Sequence, residues 1–446
     1  MQLVQQILFI MLVGFAIFLF AQKVKEIAAN INLGRDEDLS DHKKERWRNV
    51  LLLALGQKKR FRYALVGIMH LVIYAGFVII NIEILEIVLD GLFGTHRMFA
   101  NTLGGFYTSV IDFFEILAIG VLLACIIFLI RRNILKLRRF ISHELDGWPR
   151  TDANLILITE IILMSLFLTM NAADRALQLQ GAPHYADHGS FIFSGWIAQS
   201  MQHVKPSTLV AFERTCWWLH ITGIFAFLNY LPYSKHFHIL LAFPNSYYKR
   251  LKPKGEMKNM ENVQKEVQYI FKPELAPANV DAQTENSQTP GFGAKDIFDL
   301  SWKNLLDAYT CTECGRCTAA CPANITGKLL SPRKIMMDTR DRMHEIRDNI
   351  KANGVFKEDG KKLLNNYITV EELRACTSCN ACVEECPVSI NPLDIIFSLR
   401  RALIMEDSNA PAEWNAMFSN IENNFAPWKF SPDERDKWAQ EMENNS

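Results

Sequence analysis

Several signatures are missing from this chain, and each absence removes a class of function. No Rossmann glycine fingerprint and no phosphate loop occurs, and no nucleophile stands beside a base at motif spacing. An organic substrate must therefore be handled on another subunit. No kinase or DNA-binding motif is present. Basic and acidic residues balance at 48 each, so no cationic excess points to nucleic acid. The first apolar run lacks the positive n-region of a signal peptide. Cysteine is absent after Cys386.

What is present is a doubled cysteine pattern. Cys311, Cys314, Cys317 and Cys321-Pro322 read C-x2-C-x2-C-x3-C-P, and so do Cys376, Cys379, Cys382 and Cys386-Pro387. Eight of the ten cysteines lie here. This is the spacing of a two-cluster bacterial ferredoxin, in which the fourth thiolate of each run crosses to the other cluster. The expected ligand sets are Cys311, Cys314, Cys317 and Cys386 for one [4Fe–4S] cluster, and Cys376, Cys379, Cys382 and Cys321 for the second. A zinc site closes with four ligands and needs no doubled run. Disulfides do not suit a cytosolic domain. Cys125 and Cys216 sit in apolar stretches and read as buried thiols.

Hydrophobic residues make up 49% of the chain, and their excess lies before residue 245. Five apolar runs, at about 3–21, 63–89, 106–130, 154–170 and 215–241, are long enough to span a bilayer. Lysine and arginine crowd 22–62 and 131–152 but are sparse in 90–105 and 171–214. The positive-inside rule puts the first pair of loops in the cytoplasm. The expectation is an inner-membrane, multi-pass protein with its N-terminus outside and its cluster domain in the cytoplasm. Trp217 and Trp218 are expected in an interfacial belt at the outer end of the fifth span. The predicted fold is mainly α: a five-helix transmembrane bundle over 1–245, a mostly extended connector over 246–296, and an α-helical, ferredoxin-like two-cluster domain over 297–446. Helices are expected at 332–350 and 393–406.

Ionisable residues inside spans are candidates for function. His70 in the second span and His238 in the fifth lie at similar depth near the inner face, as bis-histidine ligation of one haem requires. His220 lies 18 residues before His238, five turns or about 27 Å along a continuous helix. His236 points off that face, and Pro232 is a candidate kink. Glu83 with Glu86, and Asp112 with Glu115, are spaced one turn apart near the outer end. They read as interfacial acids that solvate helix ends, with proton relay to a quinone as the alternative. Asp174 and Arg175 read as a local pair.

The fifth run, from Trp217-Trp218-Leu219-His220 through Leu231-Pro232-Tyr233-Ser234-Lys235-His236-Phe237-His238, resembles the gamma subunit of respiratory nitrate reductase. That resemblance implies a cytochrome b domain with His220 and His238 as haem ligands and His70 opposite His238. The family's other early ligand falls ten residues on, where this chain has Ile80. His96, His184, His188 and His203 in the loops are then the remaining partners for His220, which leaves a second haem open. The C-terminal part resembles the iron–sulfur subunits of heterodisulfide reductase and glycolate oxidase, through Gly327-Lys328-Leu329-Leu330-Ser331-Pro332-Arg333-Lys334, Glu384-Glu385-Cys386-Pro387-Val388 and Pro427-Trp428. The fused order is similar to membrane Fe–S oxidoreductases linked to electron-transfer flavoprotein and menaquinone. It implies a partner subunit with CCG domains, electron-transfer flavoprotein as a further partner, and quinone as substrate. The expected function is electron relay between a cytoplasmic redox partner and the quinone pool. A membrane redox sensor or a structural anchor is the alternative.

Overall fold

The computed structural model describes residues 2–276, 291–429 and 431–444. Among the described residues the regular structure is helical, apart from two isolated bridges. Four helices are long and apolar enough to cross a membrane: α1 (Gln2–Ile31), α2 (Ala64–Phe93), α3 (Phe106–Asn133) and α4 (Trp148–Leu179). Leu3, Ile7, Met11 and Phe15 of α1 and Leu65, Val78, Ile82 and Leu85 of α2 face outward and exposed. An apolar exterior of this kind suits lipid rather than water.

Five spans were expected, and the fifth needs correction. The run over 215–241 is not one helix. Its first part belongs to α5 (Pro206–Tyr230), whose early turns carry Glu213 and Arg214 and which is not among the four long apolar helices. Two short 3-10 turns follow, Leu231–Tyr233 and Lys235–Phe237, before α6 (His238–Tyr247) begins. Pro232 is the cause: it has no N–H for the carbonyl four residues back, so the ladder stops. Ser234 then takes an extended conformation, and its hydroxyl accepts the His236 N–H at 3.1 Å. His220 and His238 therefore share no continuous face.

The four apolar helices and α5 pack in a closed ring. α2 lies on α3, α3 on α4, α4 on α5, and α1 bridges α5 and α2. Phe9 of α1 fills the middle, 5.4 Å from the Trp217 ring and 6.3 Å from Phe225. Trp217 is buried in that contact.

Beyond the ring, α1 continues into the cluster domain. Asn30 Nδ2 donates to the Tyr309 hydroxyl at 2.6 Å, and Lys351 pairs with Glu26 at 2.8 Å. Arg35 pairs through its backbone with Leu300 and Trp302 at 2.7 and 3.0 Å. Gly34 permits that approach, because a Cβ there would stand 2.6 Å from the Trp302 nitrogen. The cluster domain is built from α7 (Trp302–Thr310), α8 (Pro332–Asn353), α9 (Pro392–Arg401) and shorter helices. The two helices expected there occur, the second as α9 and a π turn, Ala402–Glu406. No strand pairs of a ferredoxin-like sheet occur among the described residues.

The connector also differs from expectation. It contains a helix, Glu261–Phe271, on which Val263, Val267 and Ile270 recur at helical spacing. The part of the expected connector at 277–290 lies outside the described residues.

Candidate functional site

The cysteine repeat is also a repeat of backbone conformation. Each run begins where a short helix ends: α7 at Cys311, and Val370–Ala375 at Cys376. Both helices start with a capping box, Ser301 with Asn304 and Thr369 with Glu372. Within each run the residues flanking the second cysteine are left-handed: Glu313 and Gly315 around Cys314, Ser378 and Asn380 around Cys379. Alternating left-handed residues bend the chain so tightly that three thiols turn towards one point, with N–H groups beside them. Ser378 N–H donates to Cys376 Sγ at 3.4 Å, and Ile390 N–H to Cys386 Sγ at 3.2 Å.

The thiols gather in two groups. Cys311, Cys314, Cys317 and Cys386 line one cavity, which Cys382 of the other set also borders, with Arg316, Arg333, Met336 and Val388. Cys376, Cys379, Cys382 and Cys321 are mutual neighbours in the second. Cys317 and Cys382 also neighbour each other, so the groups adjoin. Among the described residues no three His, Cys, Asp or Glu side chains approach closely enough to hold a single metal ion. Eight thiols in two runs of this spacing fit iron–sulfur clusters, whose ligands are cysteine thiolates. Burial pushes the Cys311 thiol up to about 11, and Cys382 and Cys386 up to about 12. Iron binding must therefore displace protons. Cys379 is exposed, whereas Cys311 and Cys386 are buried and Cys314 and Cys317 half-buried, so the second group reaches solvent through Cys379.

The first group faces the helical ring. Lys59, between α1 and α2, donates to the Val383 and Cys386 carbonyls at 3.3 Å each. Arg333 donates to the Arg139 carbonyl and to Glu144, both at 2.7 Å, between α3 and α4. The loops rich in lysine and arginine and the cysteine domain thus occupy one end of the molecule. Arg60 lies within electrostatic reach of Cys314 and Cys386 and of His70 and His238.

His70 lies on α2 and His238 is the first residue of α6. His70 Nδ1 lies 3.1 Å from Gln57 Oε1, and His238 Nδ1 lies 2.9 Å from the Lys235 carbonyl oxygen. Both partners only accept, so Nδ1 carries the proton in each ring and Nε2 keeps its lone pair. Metal-ligating histidines are commonly held in this way. His236 packs edge-on against His238, with centroids 5.7 Å apart, and against Phe227. His220 is buried beside Phe167, and neither ring nitrogen makes a well-formed hydrogen bond. Of the residues considered as its partner, Ile80 is buried in α2, His96 faces Asp174 and Tyr185, His188 faces Tyr107, and His184 and His203 are exposed.

At the other end of the ring the expected interfacial acids are buried: Glu83, Glu86 and Glu115 are at most 3% exposed. The outer loops fold over them and supply donors. Glu86 accepts from the Phe99 N–H at 2.7 Å and the Tyr107 hydroxyl at 2.8 Å. Glu115 accepts from the Phe193 and Ser194 N–H groups at 2.8 and 3.1 Å. Asp112, partly exposed, accepts from the Ile192 N–H at 3.0 Å. Asp174 and Arg175 do not pair. Asp174 takes Arg97, and Arg175 donates to Asp187 at 2.6 Å. Consecutive residues on a helix point apart, so each finds a partner in a different loop.

Comparison with known proteins identifies the cysteine domain. Residues 310–390 match the family of 4Fe-4S dicluster domains. The chain is similar to a probable iron-sulfur-binding oxidoreductase, FadF, of Bacillus subtilis, 28% identical over 98% of this chain and 61% of that protein. It is also similar to the EtfAB:quinone oxidoreductase of Syntrophomonas wolfei, 24% identical over 97% of this chain and 59% of that protein. A probable membrane-anchored ferredoxin of Chromohalobacter salexigens is 31% identical over 34% of this chain and 24% of its own length. The chain thus spans about three fifths of the two relatives it matches along nearly its whole length. No solved structure matches it. These relatives support an iron–sulfur electron-transfer role in an oxidoreductase.

Sequence reasoning singled out the cysteines and histidines but missed the residues that hold them. Gln57, Arg60 and Glu313 had no role, and Lys235 was read only as part of a turn. Their signal was polarity in awkward places: a glutamine ending an apolar stretch, and a lysine three residues before a candidate ligand.

Proposed function

We propose that this chain is a membrane-anchored electron relay between a soluble redox partner and quinone. Two [4Fe–4S] clusters and one b-type haem carry the electrons, one at a time. Cys311, Cys314, Cys317 and Cys386 hold the cluster nearer the membrane, and Cys376, Cys379, Cys382 and Cys321 the outlying one. His70 and His238 hold the haem through Nε2. The observation that carries the reading is that His70 and His238 are each held through Nδ1, by Gln57 and the Lys235 carbonyl, at the end of the ring where Lys59 bonds the Cys386 carbonyl. The residues fit the cofactors: Gln57 and Lys235 fix the histidine tautomers, and N–H groups face the sulfurs of Cys376 and Cys386. His220 has no identified opposite ligand, so one haem is proposed and not two.

Bound clusters and haem supply one-electron chemistry. The chain's own residues hold them apart at fixed distance and exclude water from the inner group. The exposed Cys379 marks the side from which a partner exchanges electrons. A subunit with CCG domains, or electron-transfer flavoprotein, is the proposed partner, and the inner membrane the proposed location, with the cysteine domain in the cytoplasm. The test is a redox titration of purified full-length protein with a menaquinol analogue, followed by absorbance and EPR. A b-type band and cluster signals that respond to quinol support the reading. Centres that exchange no electrons with quinol or quinone at any applied potential refute it.

A further inference from the structure

Lys235 reaches three elements with three different groups. Its carbonyl oxygen lies 2.9 Å from His238 Nδ1. Its backbone N–H donates to Asp152 Oδ2 on α4 at 3.2 Å. Its ammonium donates to the Pro149 carbonyl at 2.6 Å and to Glu313. Glu313 stands between Cys311 and Cys314, buried and left-handed, and its other oxygen accepts from Arg340 Nη2 at 2.5 Å. Asp152 in turn accepts from the Tyr230 hydroxyl at the end of α5. A continuous line of charged groups thus joins the turn that carries His238 to the loop between two candidate cluster ligands. The turn exists because Pro232 ends α5, so the break in the helix is what brings Lys235 to the cysteine domain.

We infer that Lys235 and Glu313 are positioning residues that couple the two redox centres, fixing one against the other and setting both reduction potentials through a shared buried ion pair. The inference rests on the haem reading above. Charges away from water act on neighbouring groups with little screening. An electron added to either centre is favoured by a nearby positive charge and opposed by a negative one, and cluster potentials respond to charge and hydrogen bonding of this kind. The two residues are 78 apart in sequence and lie on opposite sides of the boundary between the helical ring and the cysteine domain. The same pair therefore bears on both centres. Substituting the Lys235 side chain leaves its backbone carbonyl on His238, so the electrostatic effect separates from loss of the ligand.

The test uses the full chain in detergent and measures midpoint potentials, the haem by absorbance and the clusters by EPR. Glu313→Gln removes the carboxylate shared by Lys235 and Arg340, leaving Asp152 at 3.8 Å from the Lys235 ammonium, and should move both midpoints positive. Lys235→Gln should move both negative, and Lys235→Arg should leave both near the parent. The double variant Glu313→Gln with Lys235→Gln should fall between the two single variants, because the opposed charges are lost together. Should Glu313→Gln fail to assemble its cluster, the contrast between Lys235→Gln and Lys235→Arg decides the matter. Unmoved midpoints in the single variants, or a cluster that shifts while the haem does not, overturn the inference. Parent protein without a b-type band sinks the haem reading instead, so the two failures are distinguishable.

Discussion

Arg97 and Asp174 form a buried ion pair across 77 residues of sequence. Arg97 Nη2 also donates to Asn171 Oδ1 at 2.8 Å, and Nη1 to the Tyr107 hydroxyl at 3.1 Å. One guanidinium thus pins the loop after α2 to both α3 and α4. Removing one partner of a buried pair leaves an uncompensated charge, which costs about 3–5 kcal/mol. Arg97→Met should therefore lower the thermal midpoint in detergent clearly. Adding Asp174→Asn should restore part of it. A single variant as stable as the parent would show that water already reaches Asp174.

The cysteine sets make a directional prediction. Cys321→Ser should damage the cluster of Cys376, Cys379 and Cys382, although Cys321 lies in the first run. Cys386→Ser should damage the other. Iron should fall from about eight per chain towards four in each case. EPR of the remaining cluster identifies which was lost; the same spectrum from both variants would break the crossed assignment.

His70→Ala and His238→Ala should each abolish one and the same b-type band, and His236→Ala should leave it. Gln57→Leu keeps both imidazoles but removes the acceptor that holds His70 at 3.1 Å. Loss of such an orienting partner commonly weakens metal binding 10–100-fold. Haem occupancy after washing should drop without vanishing. A band that survives His70→Ala intact removes His70 from the site.

Gly34 offers a test of how the cysteine domain is seated. An alanine Cβ would stand 2.6 Å from the Trp302 nitrogen and 2.8 Å from the Ser301 carbonyl carbon. Backbone must shift to admit it, at a cost of about 1–3 kcal/mol. Gly34→Ala should expose the 291–302 segment to limited proteolysis while leaving the cluster signals in place. Unchanged cleavage would mean that the backbone pairing of Arg35 does not seat the domain.

Length and hydropathy made the four long helices legible, because a bilayer admits few ways to satisfy a backbone. Spacing made the cysteine runs legible too, since close thiols and left-handed turns are local matters. The fifth run was misjudged for a local reason as well: Pro232 was seen, but a proline can kink a helix or end it. What decided here was Ser234, whose hydroxyl caps a new turn. The partners of the outer acids were not legible. Glu86 and Glu115 read as interfacial from their depth, and only folding of the outer loops brings the N–H groups of Phe99, Phe193 and Ser194 onto them.

The sequence by itself determined that this chain has an apolar helical half and a domain built on two cysteine runs, because periodicity, length and ligand spacing act over a few residues. Tertiary structure alone decided which side chains face each other across the two halves. Lys235 meets Glu313 across the boundary, and within the helical half Arg97 finds Asp174 rather than leaving it to Arg175. Such pairs are set by how helices pack and where loops return. A buried charge takes whichever opposite charge packing brings near, and its neighbours in sequence do not reveal which that is.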